Sequence, residues 1–283
     1  MTGRTGGGAV ATGNFEWPSG QRSAACITFD VDADAGWLGA DPANAMRPGL
    51  LSQGLYGVRV GIPLILDLLD RFGLRATFFV PGVIAEREGA VISGVVARGH
   101  EVALHGYTHR APAKLTPEEE EEEVDRASAA CRKVYPGVVG YRSPSWDISD
   151  HTLGILASHG VRYTSQFMDR LIPYMHSGLD IVELPVHWLL DDWPHFAWPS
   201  PPNGGGMQPP SAVYEMWVEE FDGIHELGGL YVLTMHPQVI GRPSRLRMLA
   251  RLLEKITSTD GVWITTCREV SDHARAHYRR PVE

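Results

Sequence analysis

From residue 24 onward, short apolar runs alternate with segments of helical periodicity. AACITFDVD (24–32) reads as a buried strand rich in residues that favour extended backbone. In GIPLILDLLDRFG (61–73), Ile62, Ile65, Leu66, Leu69 and Phe72 fall on one helical face, and Gly73 follows as a stop. RATFFVPG (75–82) predicts the next strand, residues 86–98 a helix ending at Gly99, and EVALHG (101–106) another strand. A further helix starts at Thr116, with Pro117 in the first helical position and Glu119 placed to close a capping box. The acidic run EEEEEE (118–123) complements the dipole there and reads as a solvated first turn. GVVGYRSPSW (137–146), VRYTSQF (161–167), DIVELPVHW (180–188), GLYVLTMHP (229–237) and GVWITTCREV (261–270) are the remaining strand candidates. Helical patterns near 150–159, 211–227 and 243–257 separate most of them.

About seven or eight strand–helix units in one chain predict parallel strands joined by crossover helices. The expectation is an α/β fold, a distorted (β/α) barrel in one domain over residues 15–283. The Gly/Thr-rich residues 1–14 are expected to be a disordered tail. The stretch WPSPPNGGGMQPP (198–210) is expected to be a long loop insertion. Neither GxGxxG after a strand nor GxxxxGK is present, so the common nucleotide-binding turns are excluded.

Composition narrows the classes further. With 25 basic against 34 acidic residues, a net charge of −9 and no basic stripe, a nucleic-acid partner is not expected. Cys26, Cys131 and Cys267 are far apart and odd in number, with no CxxC pair, and read as buried free thiols. No run approaches the ~18 continuous apolar residues of a membrane span, and the first residues lack a signal-peptide pattern. The resulting expectation is a cytoplasmic protein.

The chemistry collects at the downstream ends of the strands. FDVDAD ends the first with Asp30 and Asp32, and EVALHGYTHR contributes His105 and His109. YRSPSW supplies Arg142 and Trp146, LLDDWPHF supplies Asp191 and Asp192, and LTMHP supplies His236. Parallel β/α architectures carry function at that edge. One carboxylate and two imidazoles make a ligand set for a divalent transition ion with positions left open for water and substrate, as at a catalytic rather than a structural centre. The aromatic residues Trp37, Tyr107, Trp146, Trp193, Phe196 and Trp198 lie in or beside these segments.

These blocks in this order resemble the polysaccharide deacetylases of carbohydrate esterase family 4, over roughly residues 22 to 270. FDVDAD, HGYTH, YRSPSW, DDW and LTMHP are similar to that family's five motifs. One departure stands out: Val31 separates two aspartates that are usually adjacent. That spacing is similar to a sub-branch of peptidoglycan-deacetylase-like proteins and relatives that hydrolyse allantoin or cyclic imides. The resemblance implies a barrel of about seven strands and hydrolysis of a non-peptide amide, with an N-acetylated amino sugar or polysaccharide as the first expectation. A small cyclic amide is the alternative, and a catalytically silent carbohydrate- or metal-binding module a third reading. By the same resemblance Asp32, His105 and His109 would hold a divalent ion, zinc first, with Co2+, Ni2+ or Fe2+ as other candidates. Asp30 would be the general base, Arg142 its partner and His236 the general acid. Asp192, or its neighbour Asp191, would orient His236. A backbone N–H of the second or third motif would stabilise the oxyanion. Tyr107, Trp146 and Trp193 would contact a carbohydrate or small-molecule substrate, and a homo-oligomer is expected from the sub-branch.

Overall fold

The computed structural model describes residues 15–197 and 207–279. The expected tail 1–14, Trp198 and most of the insertion at 198–210 lie outside them.

Among the described residues nine strands form one sheet: β1 (Ser23–Asp30), β2 (Thr77–Val80), β3 (Glu101–Leu104), β4 (Gly140–Tyr141), β5 (Tyr163–Thr164), β6 (Tyr174–Met175), β7 (Val182–Glu183), β8 (Leu230–Met235) and β9 (Val262–Thr265). The order is β6-β7-β5-β4-β3-β2-β1-β8, with β9 also on β1. All pairings are parallel except β6 with β7. β1 pairs with β8 along one edge, and with β9 and then β2 along the other. Downstream of β7, Asp191 bridges in parallel to Thr234 of β8, linking the two ends of the curled sheet. The expected distorted (β/α) barrel is the fold observed.

Around it lie α1 (Pro48–Tyr56), α2 (Ile62–Phe72), α3 (Gly89–Ala97), α4 (Pro117–Val134), α5 (Thr152–Ser158), α6 (Pro210–Leu227), α7 (Pro243–Thr257) and α8 (Cys267–Tyr278). A π-helical turn, Gly57–Gly61, joins α1 to α2 in one run. By length and composition the run Pro48–Phe72 could cross a bilayer. The apolar pattern starting at residue 61 shows only its second half. In the fold Ile62, Ile65, Leu66, Leu68 and Leu69 are buried in the core.

Strand alternation sorts the interior into two layers. Ala25, Ile27 and Phe29 of β1, Phe78 and Val80 of β2, and Tyr231, Leu233 and Met235 of β8 pack outward beneath the helices. Ala24 and Cys26, Phe79, Ala103 and Val232 face the barrel axis. The inward set therefore continues through Thr28 to Asp30, through Ala103 to His105, and through Thr234 to His236. Each chemical residue is the next inward position beyond an apolar or hydroxyl-bearing one. The three cysteines are free and buried, as expected.

Two local readings change. Helix α8 begins at Cys267, inside the strand expected over 261–270, because Thr266 accepts a hydrogen bond from the Glu269 N–H as its N-cap. The acidic run is not uniformly solvated. The Thr116–Glu119 capping box is present and Glu118, Glu119, Glu121 and Glu122 are exposed, but Glu120 and Glu123 are buried. They share the inward face of α4 with Val124 and Ala127. Glu120 accepts from the Ser149 and Thr152 hydroxyls.

Candidate active site

β1 delivers Asp30 and, two residues on, Asp32. Between them the Val31 N–H donates to the Phe79 carbonyl at 2.8 Å, and the Val31 side chain sits in the outer core. The extra residue relative to adjacent aspartates keeps both carboxylates on the inner face. Asp30 and Asp32 are 2% and 4% exposed.

β3 delivers His105. The β3–β4 register sets Leu104 against Tyr141, which brings the Arg142 carbonyl to 2.8 Å from His105 Nδ1. A carbonyl only accepts, so Nδ1 carries the proton, which in the neutral imidazole leaves the Nε2 lone pair free for an ion. That Nε2 lies 3.4 Å from Asp32 Oδ1. His109 returns in the following loop with φ +64, a left-handed conformation that histidine tolerates better than most residues other than glycine. Its Nε2 is 3.3 Å from the same Asp32 oxygen. The loop is tied down from below. Glu123 Oε2 accepts the Tyr107 and Thr108 N–H groups at 2.9 and 2.7 Å, and Oε1 accepts the Thr108 hydroxyl at 2.5 Å. Above it, Gly39 packs onto the Thr108 and His109 carbonyls, where a Cβ would fall 2.6 and 2.5 Å from the two oxygens.

Ligand atoms of Asp32, His105 and His109 all lie within 4.8 Å of one another, close enough for one ion. Asp32 Oδ1 is buried and has no hydrogen-bond partner. A buried carboxylate oxygen left unpaired opposite two imidazole Nε2 atoms is unstable as it stands and would be completed by a cation. The residues present therefore fit a divalent metal. Burial opposes the charge on Asp32, but His109 and His236 outweigh it and hold the carboxyl well below the usual carboxylate range.

Arg142, fully buried, spans the barrel mouth from β4. Its Nη1 donates to Asp30 Oδ1 at 2.7 Å and to Thr28 Oγ1 at 2.9 Å. Nε and Nη2 donate to Ser165 O and Oγ at 3.2 and 3.0 Å, and the guanidinium lies 4.0 Å over Phe79. Sequence reasoning missed Thr28 and Ser165. Thr28 was findable by alternation, being two residues before Asp30 on the same strand. Ser165 follows β5 and carried no signal of its own.

The Asp191/Asp192 alternative resolves by geometry. Asp192 Oδ1 accepts from His236 Nδ1 at 2.7 Å, and both its oxygens accept the His236 N–H. Asp191 instead accepts the Trp193 N–H at 2.7 Å and stands 3.7 Å from His236 Nδ1. Burial pushes the Asp191 carboxyl up to about 7 against the pull of His236. Burial disfavours the imidazolium of His236, yet Asp32 and Asp192 outweigh it and raise its pKa well above the ordinary value. An ion on Asp32 would cancel part of that pull. His236 Nε2 points back to Asp32 Oδ2 at 3.5 Å.

The aromatic candidates separate. Trp193 lies 5.2 Å from the His236 ring and 5.4 Å from Trp37, on the wall of a cavity of about 270 Å³. Trp146 (φ +54) packs 4.5 Å from the ring of Trp188, a residue that is 45% exposed. Tyr107 is a correction to the expected substrate contact. Its ring is built into the core under the Arg126 guanidinium, and its hydroxyl donates to Glu86 at 2.8 Å. Glu123 takes the Tyr107 and Thr108 N–H groups, so neither is free to serve as an oxyanion donor.

Glu123→Ala is expected to leave those two N–H groups unpaired, costing about 2–5 kcal/mol of stability and about 10–100-fold in ion affinity as His109 loosens. Glu118→Ala on the same helix should stay within about 0.5 kcal/mol. Denaturant melts and metal titrations of the two variants check this.

Taken together, a curled parallel sheet carries at its strand ends an Asp–His–His group beside a carboxylate–arginine pair. The chain belongs to the polysaccharide deacetylase family. That family's sequence model, described as Polysaccharide deacetylase, matches residues 56–164. The Peptidoglycan deacetylase of Helicobacter pylori is 31% identical over 273 residues, covering 86% of this chain and 93% of that protein. A crystal structure of a Mycobacterium smegmatis protein assigned to the polysaccharide deacetylases superposes with a TM-score of 0.90 at 37% identity, covering 95% of this chain and 96% of that one. The Puue allantoinase structure shares the fold at a TM-score of 0.81 and 21% identity, covering 94% of both chains.

Proposed function

We propose that this chain hydrolyses a non-peptide amide C–N bond in an ion-dependent reaction, with N-deacetylation of an N-acetylated amino sugar or polysaccharide as its activity. The observation that carries the reading is the unpaired Asp32 oxygen facing two imidazoles, with Asp30 and His236 turned to the same point. Asp32, His105 and His109 would hold the ion, zinc being the expected one from the mixed carboxylate and imidazole donors. When bound, such an ion acidifies water and polarises an amide carbonyl.

The chain's own residues move the protons. Asp30, anchored on Arg142 through Oδ1, has Oδ2 3.9 Å from His105 Nε2 and accepts the proton of the attacking water. The water oxygen bonds to the carbonyl carbon. The C–N bond breaks as His236, held through Nδ1 by Asp192, delivers a proton from Nε2 to the departing nitrogen. Acetate and the free amine result. The homologous Peptidoglycan deacetylase supports the sugar substrate. The compact cavity beside His236 favours a second reading, the opening of a small cyclic amide, because its volume suits a small ligand.

The deciding comparison is acetate release from N-acetylglucosamine oligomers against hydrolysis of allantoin and cyclic imides, with ion-loaded and ion-stripped protein side by side. Sugar turnover restored by a divalent ion supports the reading. Turnover of neither set with any ion sinks it in favour of a binding module. His236→Ala should keep the ion while lowering turnover by roughly 10²–10⁴. An unchanged rate would remove His236 from the reaction.

A further inference from the structure

We propose that the cavity beside His236 is a subsite for the amine half of the substrate and selects an amide whose amine half carries a carboxylate. The proposal rests on the amide-hydrolase reading above and names its substrate class. His236 serves the nitrogen that leaves, so whatever hangs from that nitrogen lies on the His236 side of the site. On that side lies the cavity of about 270 Å³ walled by Trp37 and Trp193 and by Gln238, Arg242 and Arg245.

Gln238 is 4% exposed, and neither its Oε1 nor its Nε2 has a hydrogen-bond partner. A buried amide with both ends unpaired destabilises a fold, and an explanation in bound ligand or water is required. Its position is held tightly. The short helix Pro237–Ile240 packs against the π-helical turn, where a Cβ on Gly57 would meet Gln238 N at 2.9 Å and Oε1 at 3.0 Å. Such turns recur at functional sites.

The two arginines are the second observation. Arg242 lies 3.6 Å over the Tyr56 ring and Arg245 lies 4.7 Å over Phe196, with Arg245 Nη1 donating to the Val239 carbonyl at 3.1 Å. Among the described residues neither is in an ion pair. Asp192, whose field reaches Arg245, has both oxygens committed to His236. Two half-buried guanidinium groups, steadied by aromatic rings and left without a counter-charge, form a receptor for a carboxylate. Gln238, whose amide atoms are covered here, offers one donor and one acceptor to a ligand that turns its side chain toward the cavity, and Trp193 adds a flat wall. A neutral polymer would use neither arginine.

The test uses the full ion-loaded chain and two amides that differ only in the 3-O-lactyl group that bears the carboxylate, N-acetylglucosamine and N-acetylmuramic acid. The expected result is a kcat/KM at least about tenfold higher for the acid. Arg242→Gln and Arg245→Gln should each collapse that ratio by about tenfold or more, through KM. Gln238→Leu should weaken binding of the amine product, muramic acid, in calorimetry while the melting temperature holds or rises, a split that a merely structural glutamine would not give. Should a glutamine variant unfold, the arginine-to-lysine variants, which keep charge but lose the fork, must still lower the ratio. A wild-type ratio within about twofold of one, or a ratio indifferent to both arginines, overturns the proposal. If neither amide is hydrolysed with any ion, the hydrolase reading fails, and calorimetry alone decides the subsite. Muramic acid binding that is lost in Arg242→Gln upholds it, and no binding by the wild type overturns it.

Discussion

His105→Ala is expected to abolish stoichiometric binding of a divalent ion and to lower amide hydrolysis by about 10³-fold or more. The imidazole is fixed at both ends, by the Arg142 carbonyl at Nδ1 and by its place opposite Asp32 at Nε2. Alanine removes one of three protein donors and leaves the Arg142 carbonyl without its partner. The ion contributes several kcal/mol of transition-state stabilisation in such centres, each 1.36 kcal/mol being tenfold in rate. Metal analysis after dialysis and a calorimetric titration give the first half of the result, and turnover the second. Retained stoichiometric metal with full activity would remove His105 from the ligand set. His109→Ala should act in the same direction, with no relief of the backbone at φ +64, because alanine tolerates that left-handed conformation no better than histidine.

Much of this arrangement was readable from the chain, for one physical reason. Strand alternation and the strand-end rule act on local sequence, so Asp30, Asp32, His105 and His236 announce themselves as polar positions closing apolar runs. The pairing of strands and crossover helices likewise leads to the barrel, because β1, β2, β3 and β8 are long enough to show their pattern. What was hidden depends on contacts between distant segments. β4, β5 and β7 are two residues each, and only their neighbours' register makes them strands. Helix α8 starts within a β-branched run, so its N-cap competes with a strand signal. Glu123 looks like one more charge in a solvated row until the 3–4 spacing with Glu120, Val124 and Ala127 marks the buried face of α4. Tyr107 stands two residues from both His105 and His109 yet faces the core, since the turn that aims those imidazoles at Asp32 sends the intervening side chain the other way. Asp191 and Asp192 could not be told apart by type or spacing, because only the His236 imidazole, more than forty residues on, divides their roles.

Arg142→Leu should cost about 3–5 kcal/mol of stability, the range for breaking a buried ion pair by removing one partner, together with roughly 10²–10⁴ in turnover as Asp30 loses its orientation. Four hydrogen bonds from one planar fork reach Asp30, Thr28 and Ser165 at once. An ammonium is a single point and cannot, so Arg142→Lys is expected to recover part of the stability and little of the rate. The double variant Arg142→Leu with Asp30→Asn separates the two contributions. With the carboxylate charge gone, the unpaired buried anion disappears and stability should rise above that of Arg142→Leu alone. Activity should stay lost, because an amide side chain cannot accept the water's proton. Denaturant unfolding and turnover on one set of four proteins check both halves. Equal stability of Arg142→Leu and the wild type would show that the pair is not what holds Asp30, and an active double variant would take Asp30 out of the proton transfer.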